Sequence, residues 1–167
     1  MSSPAAERRA KARKDVHERA LGLLAVRPRS RRELERRLQA AGYDGDEIAD
    51  ELARLEGVGL IDDEAFARAL AEQAFDRRKA GRRAVAGALA AKGVAPSVAE
   101  AVLDDLGGDG DDGRADELAR ARAMRLTGVP PDRAFQRLMG FLVRRGHSPE
   151  VARRAARRAL DVEASED

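Results

Sequence analysis

Apolar residues recur at steps of three and four along most of this chain, and nowhere do they alternate convincingly with polar ones, so the pattern predicts helices and no strand. From Asp15 the run Val16, Ala20, Leu23, Leu24 marks a first helix that stops before Pro28. Ser30 with Glu33 three residues on reads as a capping box opening a second helix, with Leu34 and Leu38 as its buried edge and Gly42 as its end. Asp44 with Glu47 repeats the signature ahead of a third helix lined by Ile48, Leu52 and Leu55. Asp62 or Asp63 then caps a long helix in which Phe66, Leu70 and Ala74 form one stripe expected to be core. Beyond it, Phe135, Leu138, Met139 and Leu142 line a helix that follows Pro130 and Pro131, and Ser148 and Pro149 open a last helix.

The helices repeat. Gly42, Gly93 and Gly146 each close a helix whose residues four and eight back are apolar: Leu38 and Leu34, Leu89 and Val85, Leu142 and Leu138. After each glycine comes a short turn and another apolar helix start, at Ile48, Val98 and Val151. A helix end commonly needs a residue that tolerates a left-handed backbone, which is why the glycine recurs. The expected architecture is all-α: three tandem three-helix repeats, 15–58, 59–106 and 114–161, in an elongated, curved arrangement. A disordered basic tail is expected at 1–14, an acidic tail at 162–167, and a flexible acidic, glycine-rich linker at 107–113 (GGDGDDG) that would let the third repeat hinge.

Composition narrows the chemistry. Aromatic residues make up 3% of the chain and charged residues 37%, so small Ala/Leu/Val seams between helices are expected instead of a large core. The absence of cysteine removes disulfides and thiolate metal sites. No apolar run approaches a membrane span or a signal peptide, and a cytoplasmic protein without membrane contact is expected. GGDGDDG lacks the spacing and terminal glutamate of a calcium loop, so neither metal nor cofactor is expected. His17 and His147 fall in different repeats, with His147 expected to be a packing or surface residue; Ser30 and Ser148 are explained as caps, and no phosphate loop is present. An enzyme is not expected.

Charge is sorted into blocks beneath a net +2. Residues 1–40 carry +7, 41–76 carry −9, 77–92 carry +6, 93–118 carry −7, 119–160 carry +9 and 161–167 carry −4. Basic surfaces at intervals suit a partner with repeated phosphates or alternating charge, whereas solvated faces are the plainer explanation of any single block. The joint Arg77, Arg78, Lys79, Arg82, Arg83 has five positive charges and no negative one. In the last helix Arg153, Arg154, Arg157 and Arg158 fall within about 140° at 100° per residue, opposite Val151, Ala155 and Ala159. Such a face serves either phosphate recognition by guanidinium forks or an acidic protein surface.

The stretch GLIDDEAFA, the basic joint with its glycine, and the short helix ending LAAKGV together resemble the RecX family, regulators of the bacterial RecA recombinase. The resemblance extends to SRRELERRLQAAGYDGDEIADELARLEGVGLIDD and RLMGFLVRRGHSPEVARRAARRAL, roughly residues 18 to 160. It implies a monomeric protein that binds the groove of RecA filaments on single-stranded DNA and mainly inhibits ATP hydrolysis, strand exchange and filament extension in recombination, DNA repair and the SOS response. Residues expected to face the filament or its DNA are Arg77, Arg78, Lys79, Arg82, Arg83, Arg144, Arg145, Arg153, Arg154, Arg157 and Arg158. The alternative is a helix-turn-helix-like protein acting on duplex DNA without RecA, against which stands the scarcity of aromatic or Asn/Gln base readers. The sequence departs from the family at KAGRRAVAGAL, where a Gly-Pro turn and a large aliphatic residue are usual, and at His147, where an aromatic is common.

Overall fold

A computed structural model describes residues 15–107 and 110–164, with side chains described as far as 161. The described residues form helices only: α1 (Val16–Val26), α2 (Arg31–Ala40), α3 (Gly45–Gly57), α4 (Asp63–Arg78), α5 (Arg82–Ala91), α6 (Pro96–Gly107), α7 (Gly110–Ala123), α8 (Pro131–Arg144) and α9 (Pro149–Ala164). None of them is long and apolar enough to cross a membrane. Contacts divide the chain into two compact units. One runs to Phe66 and takes in Lys92–Val94; the other comprises Ala67–Ala91 and everything from Ala95 onward.

In the first unit Ala20, Leu23, Leu34, Leu38, Tyr43, Ile48, Leu52, Leu55 and Ile61 close one core. Each fully buried leucine contributes about 1.5–3 kcal/mol. Helix starts follow the sequence: Asp15 accepts from the Glu18 amide, Ser30 from the Glu33 amide, and Asp44 and Glu47 form a complete capping box. Glu33 does not complete a box at Ser30. Its carboxylate is held by Arg27, Arg29 and Arg37; burial opposes its ionisation, but Arg27 and Arg29 outweigh that and keep its pKa below the ordinary value. Of the two expected caps of α4, Asp62 fills the role through the Ala65 amide, while Asp63 accepts from the Arg31 amide at 2.8 Å.

In the second unit the α7–α9 core consists of Ala115, Ala119, Ala123, Leu126, Ala134, Leu138, Leu142, Ala152, Ala155, Ala156 and Ala159. Alanine predominates, so α7 and α9 meet through small side chains and little volume is available for adjustment. On α4 the expected stripe Phe66, Leu70, Ala74 is only half-buried. The buried positions are Ala67, Ala71 and Phe75, one residue further round.

The expected linker 107–113 is corrected. Gly107 ends α6 and is buried, Gly110–Gly113 form the first turn of α7, and only 108 and 109 lie outside the described residues. Asp111 and Asp112, two of the acidic residues that suggested a mobile segment, lie in the first turn of α7, where carboxylates complement the positive end of the helix. The expected tail at 1–14 lies outside the described residues, as do 165–167, whereas the backbone of 162–164 continues α9.

The alanine seam makes a testable demand. Ala119→Leu should destabilise the protein by about 1–3 kcal/mol through overpacking, whereas Ala121→Leu on the exposed side of the same helix should stay within about 0.5 kcal/mol; chemical denaturation of the two variants compares them.

Candidate functional site

The basic joint between α4 and α5 is a structured turn. Lys79 adopts a left-handed backbone, φ 48°, which is unusual for a residue other than glycine. The Gly81 amide donates to the Arg145 carbonyl at 2.9 Å and the Arg83 amide to the Gly146 carbonyl at 3.1 Å. Unpaired N–H groups at the start of α5 thus meet carbonyls just past the end of α8. The approach is possible because both partners are glycines: a Cβ on Gly81 would overlap the Gly146 and His147 backbone, and one on Gly146 would overlap Ala84.

His147 follows that turn and is fully buried. Its Nδ1 lies 3.0 Å from Asp111 Oδ1 and its Nε2 3.1 Å from the Lys79 carbonyl. Both ring nitrogens thus lie within hydrogen-bond distance of an oxygen. Burial opposes ionisation of Asp111, yet His147 and Arg114 overcome it and hold the carboxyl below its ordinary pKa. The Arg114 guanidinium in turn lies over the Phe75 ring, 4.0 Å from its centre. His147 is therefore the packing residue expected, with a polar function the sequence did not reveal.

The eleven arginine and lysine residues singled out from the sequence divide by partner. Lys79 pairs with Glu117 at 3.1 Å and Arg82 with Asp104 at 2.6 Å. Arg154 grips Asp112 with two guanidinium nitrogens and Arg158 spans Asp112 and Asp116, so half of the arginine face on α9 binds α7. Arg154 and, second, Arg158 lower the pKa of Asp112. Arg145 donates to the Arg78 carbonyl and lies 5.5 Å from the Phe141 ring centre. Arg77, Arg78, Arg83, Arg144, Arg153 and Arg157 are exposed, and none forms an ion pair among the described residues.

A further basic site escaped the sequence reading. A cleft of about 500 Å³ is lined by Arg122, Leu126, Gln136, Arg137, Gly140 and Arg144. Arg122 and Arg137 belong to the +9 block, but without the packing of α7 on α8 nothing distinguishes them from other surface arginines. The spacing did carry a signal: Arg133, Arg137, Gly140 and Arg144 lie four, three and four residues apart, which is one stripe of α8. Among the described residues no group of three or more His, Asp or Glu is placed to hold a metal ion.

Comparison with known proteins gives a consistent result. The family model for the first three-helix domain of RecX matches residues 17–55, and that for its second three-helix domain matches 62–103. The chain is 41% identical over 136 residues to a regulatory protein RecX of Mycolicibacterium smegmatis, covering 79% of this chain and 72% of that one. It is 37% identical over 144 residues to a regulatory protein RecX of Streptomyces coelicolor, covering 86% and 76%. Its fold is similar to the crystal structure of RecX from Lactobacillus salivarius, with a TM-score of 0.80 at 20% identity over 86% of this chain and 94% of that one.

The buried His147–Asp111 pair sets an expected pH dependence. Because the folded pKa of Asp111 is depressed, its contribution is complete above the ordinary value of 3.8 and is lost as pH falls through the lower folded value. Asp111→Asn should cost roughly 1–3 kcal/mol at neutral pH, and the gap to the parent protein should close on acidification; thermal melts across that range measure both.

Proposed function

As a member of the RecX family this chain is a regulator of RecA, and we propose that it acts by seating its unpaired arginines in the groove of RecA filaments on single-stranded DNA. There, as a cytoplasmic monomer, it restrains ATP hydrolysis, strand exchange and filament extension. The observation carrying this reading is that Arg77, Arg78, Arg83, Arg144, Arg153 and Arg157 remain exposed and form no ion pair among the described residues, Arg83 and Arg153 interacting only at longer range with Glu150. Exposed charge without an internal ion-pair partner is available to an external one, and a filament on single-stranded DNA presents repeated phosphates. Lys79, Arg82, Arg154 and Arg158, which pair with carboxylates of the same chain, and Arg145, which donates to the Arg78 carbonyl, stand beside this set as filament-facing candidates that would have to exchange an internal partner.

The proposed regulation follows from occupancy of a polymer and calls on no catalytic group; His147 is closed into packing between Asp111 and the Lys79 carbonyl, and His17 pairs with Glu51.

The decisive assay titrates the protein into the cognate RecA filament and follows ATP hydrolysis. Turnover should fall at substoichiometric amounts, and Arg77→Glu with Arg83→Glu should raise the concentration required by about tenfold, the effect of losing about 1.4 kcal/mol, without shifting the melting temperature. Unchanged turnover contradicts the reading. A specific footprint on naked duplex without the recombinase would instead favour the helix-turn-helix alternative.

A further inference from the structure

The α7–α8 face of the second unit is basic without internal compensation. From Leu118 to His147 the sequence holds seven arginines and one acidic residue, Asp132. The acidic residues of α7 lie in its first half, where Asp111, Asp112, Asp116 and Glu117 engage His147, Arg154, Arg158 and Lys79. This leaves the C-terminal half of α7 and the length of α8 with no carboxylate paired to Arg122, Arg137 or Arg144 among the described residues. These three surround the cleft together with Gly140, against which the Arg144 guanidinium rests: a Cβ there would come 3.1 Å from it.

We propose that this cleft is a binding site for the phosphodiester backbone of single-stranded nucleic acid. Guanidinium groups converging on an open cleft offer paired N–H donors to phosphate oxygens. On α8, Arg137 and Arg144 stand about 10 Å apart at 1.5 Å per residue, and Arg133 extends the row by about 6 Å more. A row of that kind follows a repeating anion. The nearby aromatic does not serve as a base platform: Arg122 and Arg145 already approach the Phe141 ring, at 5.4 and 5.5 Å from its centre. With no free ring to stack on, recognition runs through phosphates and is indifferent to base sequence. An acidic protein segment is the competing occupant; the regular row of arginines, with no carboxylate among the residues lining the cleft, favours the phosphate polymer.

This deepens the filament reading by naming where nucleic acid is held, and it is tested on the full chain with no recombinase present. A fluorescein-labelled oligothymidylate is titrated by anisotropy at several salt concentrations, against Arg122→Gln with Arg137→Gln, Gly140→Leu, and the control Arg19→Gln with Arg36→Gln, each checked for an unchanged melt. The cleft pair should lose at least tenfold in affinity and flatten the log–log salt slope by about 1.4, roughly 0.7 for each lost phosphate contact on a single strand. Gly140→Leu, which fills the cleft and changes no charge, should lose several-fold, and the control should stay within twofold. Equal loss in the cleft pair and the control, full affinity in Gly140→Leu, or tighter binding of labelled poly-glutamate than of oligothymidylate each overturns the proposal. Inhibition of RecA turnover by a chain that binds no oligonucleotide would overturn it too, while leaving the filament reading intact.

Discussion

The second unit depends on one backbone contact: carbonyls just past the end of α8 accept from amides at the start of α5. A helix N-terminus has unsatisfied donors and partial positive charge, and a helix C-terminus has the complement. Bringing the two ends together satisfies both without a side chain. Sterically this requires glycine on each side, which Gly81 and Gly146 supply. A related arrangement occurs in the first unit, where the Ser30 hydroxyl donates to the Lys92 carbonyl beside Gly93 and a Cβ on that glycine would crowd Arg32. The glycine turn is therefore both a helix terminator and a docking element.

That contact determines the fate of the charges. Once the Gly146 turn sits on α5, His147 is enclosed and its imidazole needs acceptors, provided by Asp111 and the Lys79 carbonyl. Asp111 comes from the first turn of α7, and the same stretch brings Asp112 and Asp116 to α9. The acidity of α7 is thereby consumed internally, and the arginines of its other half and of α8 are left uncompensated. Sorting of charge along the sequence becomes sorting in space, with the acidic segment holding the unit together and the basic one facing outward.

Much of this was legible beforehand. Helix type, the glycine period and most caps are local properties, and Gly42, Gly93 and Gly146 all adopt the positive φ that the repeat implied, at 84°, 81° and 91°. What depends on tertiary contact was not. GGDGDDG has a linker's composition, yet Asp111 and Asp112 stand in a helix start and engage His147, Arg154 and Arg158, residues some 40 positions away in sequence. On α4 the buried stripe is Ala67, Ala71 and Phe75, one residue on from the expected Phe66, Leu70 and Ala74, because two apolar stripes lie side by side on this helix and only packing selects between them. The four-arginine face of α9 looked uniform; only the neighbouring helix divides it into paired Arg154 and Arg158 and exposed Arg153 and Arg157.

The claim beneath all of this is that the α8–α5 backbone contact is a permanent part of the folded unit. Amide hydrogen exchange followed residue by residue tests it most directly. Gly81 and Arg83 should exchange as slowly as Leu142 in the core of α8, since all three would open only when the unit unfolds. Exchange at these two amides at the rate of an exposed loop, with Leu142 still protected, would contradict it.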